Sequence, residues 1–233
     1  MKTPKDQRSG IFVTGTDTGV GKTYVGVRLV RSLVSRGIRV CPRKPVESGC
    51  ERIDDQLVPA DASALARAAG PHVSLESVCP YRLLHPLSPD RAARIEGVEV
   101  KLSDLVSACR ATADEFLLVE GAGGFYSPLS FDGLNADLAE RLGLEVLLVA
   151  ADRLGCINHV LLSVEAVQSH GLRLLGIVLN SLQHQSNTLM DNATDLRQRL
   201  SCPVVNVSHD AGEAHDDAGI EQIALLITQS IRR

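Results

Sequence analysis

The sequence has no tryptophan, and phenylalanine and tyrosine together bring the aromatic content to only 3% of 233 residues. Hydrophobic residues still make up 44% of the chain and charged residues 22%, as is typical of a globular domain with a packed core. That core is therefore predicted to be aliphatic. The length favours one large domain over two small ones, and we predict a single domain over residues 1–233.

Long apolar runs and basic clusters are also lacking. No apolar stretch reaches the roughly 18 residues of a membrane-spanning helix, so no membrane partner is expected. The net charge is −4 and the lysines and arginines form no run, which makes nucleic acid an unsuitable partner. The polar start of the chain has no apolar signal region, and residues 1–9 are predicted to be a flexible tail.

The cysteines form no C-x-x-C pair, and no nearby histidine completes a zinc-binding pattern. They are interpreted as reduced, mostly buried thiols of a cytoplasmic protein. The six residues are Cys41, Cys50, Cys79, Cys109, Cys156 and Cys202.

Short apolar runs alternate with segments in which apolar residues recur at helical spacing. Residues 10–15, 115–120, 145–151 and 174–181 form continuous apolar runs, as expected for strands of a sheet that is covered on both faces. A segment of helical periodicity follows the first run and ends near residue 37. The pattern predicts an α/β fold with a mainly parallel sheet and helices on both faces.

The segment GTDTGVGKT has the features of a phosphate-binding loop between a strand and a helix. The usual pattern G-x-x-x-x-G-K-[ST] asks for glycine where this chain has Thr16, but Gly21, Lys22 and Thr23 are intact. Lys22 would place a cation on the phosphates, and the Thr23 hydroxyl would bind Mg²⁺. The sequence thus predicts a P-loop NTPase-like fold; the alternative is a glycine-rich turn that binds nothing.

Polar side chains stand where several predicted strands end. Lys44, Glu47 and Ser48 follow the second strand, Glu120 ends a later strand before a glycine-rich turn, and Asn180 ends another. Parallel strands bring their carboxyl ends to one edge of a sheet, so these side chains are expected to converge on the phosphate loop.

Thr23, Asp61 and Glu120 offer the hard oxygen ligands that Mg²⁺ prefers. Other interpretations stay open: Asp61 stands at the start of a predicted helix and could cap it, Glu120 could be a paired carboxylate, and Lys44 could be a surface lysine. In the segment GCINH, Gly155 and Asn158 mark a helix start that could attract an anion or be an ordinary capped helix.

These segments together resemble the dethiobiotin synthetase family over roughly residues 10–207. The matching segments are FVTGTDTGVGKT, which includes Thr16, then RKPVESG, PADASAL, CPYRLLHPLSPDRAA, LLVEGAGGFYSPLS, RLGCINHVLLSVEAV and GIVLN. The resemblance implies a cytoplasmic, ATP-dependent cyclo-ligase that uses Mg²⁺, 7,8-diaminononanoate and CO₂. In this reaction one amine forms a carbamate, ATP phosphorylates it, and the second amine closes a ureido ring.

The resemblance also implies roles for individual residues. Because the family's substrate carboxylate is held by the neighbouring subunit, it implies a homodimer with the site at the interface. The implied catalytic residues are Lys22, Lys44, Thr18 and Ser48. The implied nucleotide and metal contacts are Gly19, Val20, Gly21, Lys22, Thr23, Tyr24, Asp61, Glu120, Gly121, Ala122, Gly123, Asn180 and Ser181. The implied substrate contacts are Thr18, Lys44, Ser48, Gly155, Cys156, Ile157 and Asn158.

The chain departs from the family's pattern at two places, and three other functions are alternatives. Gly19 stands where some members carry an acidic residue, and residues 206–219 lack the G-x-[IL]-P-like segment that helps to seat adenine. A chromosome-partitioning ATPase would carry a lysine where this chain has Asp17. A larger amide-forming synthase would need a glutamine-hydrolysing domain, and a catalytically dead binding protein would not keep the charged residues above.

Overall fold

The computed structural model describes residues 9–181, 189–208 and 218–231. Its strands are β1 (Gly10–Gly15), β2 (Val40–Arg43), β3 (Val46–Ser48), β4 (Glu51–Ile53), β5 (Gln56–Val58), β6 (Tyr81–Leu83), β7 (Phe116–Gly124), β8 (Pro128–Ser130), β9 (Gly133–Leu134), β10 (Glu145–Ala151), β11 (Leu174–Ser181) and β12 (Val204–Ser208). Its helices are α1 (Lys22–Ser35), α2 (Ala60–Ala69), α3 (Leu75–Val78), α4 (Pro89–Glu96), α5 (Leu102–Ala108), α6 (Asn135–Leu142), α7 (Cys156–Ser169), α8 (Asn192–Arg197) and α9 (Ala218–Ile231).

The central sheet has six strands in the order β12-β11-β10-β1-β7-β2. Every neighbouring pair is parallel, as the continuous apolar runs predicted. The chain leaves β1 for the edge strand β2 and later returns to β10 on the other side, so the strand order reverses at β1. Such a reversal opens a crevice at the carboxyl ends of the strands, and the segment after β1 enters it.

Helices cover both faces of this sheet, which confirms the predicted α/β class. On one face, Leu29 and Leu33 of α1 pack with Ile223 of α9 in a fully buried cluster. On the other face, Phe12 of β1 packs with Leu105 of α5. Each leucine so buried contributes roughly 1.5–3 kcal/mol. The buried hydrophobic residues are overwhelmingly aliphatic, as the composition predicted.

Two local expectations were wrong. Asp61 does not cap α2, because the helix begins at Ala60 and Pro59 occupies the capping position. Strand β7 does not end at Glu120 but continues to Gly124. An irregularity in the pairing of β1 with β7 shifts the register, so that Gly124 still pairs with Gly15, and the predicted glycine-rich turn is therefore the end of a strand.

Several further expectations concern the ends of the chain, its cysteines and membranes. Residues 1–8 of the predicted tail and residues 209–217 lie outside the described residues, whereas the Ser9 carbonyl accepts a hydrogen bond from the Leu117 N–H.

The six cysteines, all in the described part of the chain, form no disulfide. In that same part, no helix combines the length and the apolar character needed to cross a membrane.

Candidate active site

A cleft of about 630 Å³ lies at the carboxyl edge of the sheet, within the usual size range of small-molecule sites. Most of the residues predicted from the phosphate loop and the strand ends contribute to its wall. The lining residues are Thr18, Gly19, Gly21, Lys22, Thr23, Lys44, Glu47, Ser48, Asp61, Pro86, Leu87, Ser88, Pro89, Glu120, Ala122, Gly123 and Ser127.

The phosphate loop tolerates Thr16 because that position needs no glycine conformation. Among the described residues other than glycine, only Asp54 and Asp55 have a positive φ. The Thr16 N–H donates to the Val149 carbonyl of β10 over 2.9 Å, so the loop starts as a continuation of the sheet. The left-handed positions are Gly19 and Gly21, with φ of 72° and 91°, where a side chain would be strained.

Helix α1 presents its amino terminus to the cleft through Gly21, which caps it without a side-chain hydrogen bond. Lys22 is only 7% exposed, and its Nζ donates to the Asp17 carbonyl over 2.9 Å. Burial lowers the pKa of Lys22 to about 8, with a further contribution from the positive charge of Lys44. The loop therefore holds a lysine beside the positive end of a helix dipole, an arrangement suited to phosphate.

A compact charge cluster adjoins this loop. The Lys44 Nζ lies 2.6 Å from Glu120 Oε1 and 3.1 Å from Asp61 Oδ2, and Thr23 Oγ1 donates to Glu120 Oε1 over 2.8 Å. Lys44 is 4% exposed and Glu120 is 1% exposed. Burial alone would lower the pKa of Lys44, but Glu120 and Asp61 outweigh it and raise that pKa above its usual value.

One carboxylate oxygen of this cluster is left without a hydrogen-bond partner in the part of the chain that the structure describes. Glu120 Oε2 is buried and has no hydrogen-bond partner among the described residues. With the Thr23 hydroxyl and the Asp61 carboxylate, it gives an all-oxygen set that fits Mg²⁺. Within residues 9–181, 189–208 and 218–231, no group of three or more His, Cys, Asp or Glu side chains forms a metal site. A metal held here would therefore need the hydroxyl, as well as phosphate or water, to complete its shell.

Asn135, at the start of α6, holds the end of β7 in place. Its Oδ1 accepts from the Ala122 N–H over 3.1 Å, and its Nδ2 donates to the carbonyls of Ala122 and Gly124 over 2.7 and 2.9 Å. A Cβ added to Gly121 would lie 2.5 Å from Asn135 Oδ1, so this glycine permits the close approach. Gly121 thus shapes the wall from behind the cleft.

Other predicted nucleotide residues lie beside the cleft and not in its lining. The fully buried Asn180 donates from Nδ2 to the Val20 carbonyl over 3.0 Å, which ties the end of β11 to the phosphate loop. The Tyr24 hydroxyl donates to the Ser208 carbonyl over 2.9 Å. Ser181 ends β11 and pairs with Ser208 of β12. These contacts join the loop to the far strands of the sheet.

The predicted substrate contacts at the start of α7 are also outside the cleft. Gly155 caps α7 with a φ of 89° and is exposed. Cys156 is buried, Ile157 is half-buried and Asn158 is exposed. The neighbouring Leu154 is 91% exposed. The start of α7 therefore does not line the cleft that Lys22 and the charge cluster share.

The cleft also contains residues that the prediction of the site omitted. Residues 86–89 and Ser127 line it, and so does Glu47, which was expected near the loop but was given no role. The resemblance of CPYRLLHPLSPDRAA to the P-x-S-P region of the family was the available signal for residues 86–89. Ser127 lies in the matching segment LLVEGAGGFYSPLS, but its place in the cleft depends on a turn that Asn135 and Gly124 hold.

The parallel sheet and the phosphate loop define a P-loop NTPase-like protein. The structure resembles the septum site-determining protein MinD of Pyrococcus horikoshii, solved with Mg-ADP, with a TM-score of 0.57 and 17% identity over 92% of this chain and 93% of that chain. The model of the AAA domain family matches residues 9–207.

Two curated relatives identify the family more closely. ATP-dependent dethiobiotin synthetase BioD of Ruthia magnifica is 38% identical over 94% of this chain and 99% of its own length. The BioD protein of Anaeromyxobacter dehalogenans is 48% identical over 73% of this chain and 76% of its own length. The chain belongs to the ATP-dependent dethiobiotin synthetase family.

The hydrogen bonds of Asn135 predict a large loss of stability when its amide is removed. We expect Asn135→Ala to lower the free energy of unfolding by about 2–4 kcal/mol, since it removes the partner of several half-buried backbone groups of Ala122 and Gly124. Ser127→Ala, which removes one hydrogen bond to the Gly124 N–H, should lower it by only about 1 kcal/mol. Urea unfolding measures both; equal losses for the two variants would contradict this role of Asn135.

Proposed function

We infer that this chain is a dethiobiotin synthase, an ATP-dependent cyclo-ligase of the penultimate step of biotin biosynthesis. It forms the ureido ring from 7,8-diaminononanoate and CO₂ and releases ADP and phosphate. The reaction is inferred from membership of the dethiobiotin synthetase family. The charge cluster of Lys44, Asp61 and Glu120 beside the phosphate loop is the observation that supports the location of the chemistry. A cytoplasmic location, where ATP is supplied, is part of the proposal.

The chemistry requires two anions to meet. A carbamate formed on one amine must approach the γ-phosphate of ATP, and their charges repel each other. Lys22 supports the phosphate side because it extends from the loop at the start of α1. Lys44 supports the carbamate side because its ammonium is buried in the same cleft. Fixed cations of this kind stabilise the charge that develops during phosphoryl transfer.

Thr23, Asp61 and Glu120 are proposed to hold Mg²⁺, consistent with the fit of their oxygens to that ion. When bound, Mg²⁺ neutralises phosphate charge and orients the γ-phosphoryl group. The chain's own contribution is to fix these oxygens through burial and through the contacts with Lys44. The far side of the nucleotide is assigned to Asn180 and Ser181. Asn180 Oδ1 supports this, since it is an acceptor without a partner in the described part of the chain.

The diamine is proposed to occupy the side of the cleft formed by Thr18, Ser48 and residues 86–89. The Ser48 hydroxyl donates to the Leu87 carbonyl over 2.6 Å, so the two walls are joined. Leu87 is 44% exposed and offers apolar surface to the aliphatic chain of the substrate. This side adjoins Lys44, so an amine placed here would form its carbamate next to a cation.

A homodimer completes the proposed site. The start of α7, from Gly155 to Asn158, is outside the cleft of its own subunit, yet Gly155 and Asn158 are exposed there and the helix dipole attracts a carboxylate. Leu154 is 91% exposed beside it, a surface suited to contact with a second copy. The substrate carboxylate would bind to this helix start of the partner subunit.

A partner-regulated ATPase is the main rival function, because the fold resembles MinD. That likeness concerns the fold alone at 17% identity. Where the rival class carries a lysine, this chain has Asp17, whose carbonyl accepts a hydrogen bond from Lys22. A coupled assay separates the two functions: ATP, Mg²⁺, bicarbonate and diaminononanoate should yield dethiobiotin by mass detection. ATP hydrolysis that is indifferent to the diamine would favour the rival.

Removal of Lys44 should abolish the reaction while leaving nucleotide binding. We expect Lys44→Met to lower the rate of dethiobiotin formation by ~10²–10³, as for the loss of one charge-stabilising group. ADP affinity, measured by calorimetry, should change by less than about 3-fold, because Lys22 and the loop remain. Lys101→Met is the matched control, since Lys101 is outside the cleft. Near-normal turnover of Lys44→Met would disprove a catalytic role.

The lowered pKa of Lys22 predicts proton uptake on nucleotide binding. Phosphate favours the protonated lysine, so above a pKa of about 8 binding must take up a proton, and affinity must fall as the pH rises. At pH 9, calorimetry of Mg·ADP binding in two buffers should show about 0.9 proton taken up. Lys22→Arg should show none, because its guanidinium stays protonated. Uptake below about 0.2 in the wild type would contradict the shift.

Subunit complementation tests the shared site. Asn158→Glu adds a negative charge that repels the substrate carboxylate without weakening the start of α7, and it should be inactive, as is Lys44→Met. Mixed in equal amounts and re-equilibrated, the two variants should regain about a quarter of wild-type activity, because half of the dimers then contain one intact site. A mixture that stays inactive would place the whole site within one subunit.

A further inference from the structure

Helix α2 begins without a capping side chain of its own. Pro59 occupies the capping position and makes no side-chain hydrogen bond, so the first N–H groups of the helix need acceptors from elsewhere. Glu47 supplies them: its Oε1 accepts from the Asp61 N–H over 3.0 Å and its Oε2 from the Ala62 N–H over 2.9 Å. A carboxylate at this end also matches the helix dipole.

Glu47 is fixed from its other side as well. It lies on β3, paired with Arg82 of β6, between Lys44 and Ser48 of the cleft, and it is only 6% exposed. The Lys44 N–H donates to the Val78 carbonyl over 2.9 Å, which holds the start of the same segment. One buried carboxylate thus connects the backbone segment of Lys44 to the helix that carries Asp61.

We propose that Glu47 is a positioning residue, which holds the first turn of α2 so that the Asp61 carboxylate stays at its place beside Lys44 and Thr23. Asp61 and Lys44 are in contact over 3.1 Å, but Asp61 belongs to α2 and Lys44 to the segment that leads into β3. The β4–β5 hairpin separates these two segments in the chain, and no sheet pairing joins them directly. The inference rests on the proposed function in one point, that Asp61 faces the metal of the nucleotide.

The carboxylate of Glu47 matters for its two acceptor oxygens as well as for its shape. A carboxylate has two acceptor oxygens and can bind both N–H groups, whereas the amide of glutamine has one oxygen and would turn an NH₂ group towards the other N–H. Glu47→Gln therefore keeps the size of the side chain and one hydrogen bond but loosens the first turn. Glu47→Ala removes both hydrogen bonds. If Glu47 positions Asp61, Glu47→Ala should impair the function of Asp61 more than Glu47→Gln does.

The test measures how strongly Mg²⁺ improves ADP binding, by calorimetry with and without the metal. We expect this improvement to fall about 10-fold in Glu47→Gln and about 10–100-fold in Glu47→Ala, as for partners that orient a metal ligand. ADP affinity without Mg²⁺ should stay within about 2-fold. Ser63→Ala is the control, because it removes only the hydrogen bond to the Pro59 carbonyl in the same turn, and it should match the wild type.

A second background tests that the effect passes through Asp61. In an Asp61→Ala protein, Glu47→Ala should lower the Mg²⁺ improvement by less than about 2-fold further, since residues acting as one unit are not additive. Equal effects in both backgrounds would overturn the proposal, as would unchanged Mg²⁺ improvement in Glu47→Gln, or a wild type whose ADP affinity ignores Mg²⁺. If only the dethiobiotin assay failed, the proposed function would be wrong, but the effect of Mg²⁺ on ADP binding would still test the role of Glu47.

Discussion

The buried ammonium of Lys44 between two carboxylates is the interaction on which the rest of the site depends. Charges taken out of water are costly unless they are paired with good geometry, and Lys44 is 4% exposed with contacts of 2.6 and 3.1 Å to Glu120 and Asp61. Its partners come from β7 and α2, so the pairing requires three separate elements to meet. The parallel sheet meets this requirement because its strands deliver their polar ends to one edge.

Much of the fold could be predicted from the sequence because its strands carry strong local signals. The continuous apolar runs gave β1, β10 and β11, and the Gly-Lys-Thr motif placed the phosphate loop between β1 and α1. The extension of β7 past Glu120 could not be predicted, since it follows from an irregular pairing of β1 with β7. Local propensity predicts a turn at the glycines after Glu120, but the irregular pairing with β1 makes them part of the strand.

The site was predictable where one residue acts through its own chemistry, and less so where it acts through another residue. Lys22 begins α1, Lys44 follows β2 and Glu120 lies within β7, and the three meet in the cleft as expected. Asp61 was interpreted as a possible cap, yet the cap is Glu47, which is 14 residues earlier in the chain. Asn135 is similar: its amide serves the backbone of β7. Such contacts depend on the three-dimensional arrangement and have no short-range pattern.

The distribution of these contacts also explains how one fold can serve different reactions. At 17% identity, what this chain shares with MinD is the fold. The proposed carbamate chemistry needs a second buried cation, which comes from the segment after β2 and is held by Asp61 of α2 and by Glu120. Glu47 joins that segment to the first turn of α2. The proposed chemistry therefore depends on this segment as well as on the phosphate loop, where Thr16 occupies a position that needs no positive φ.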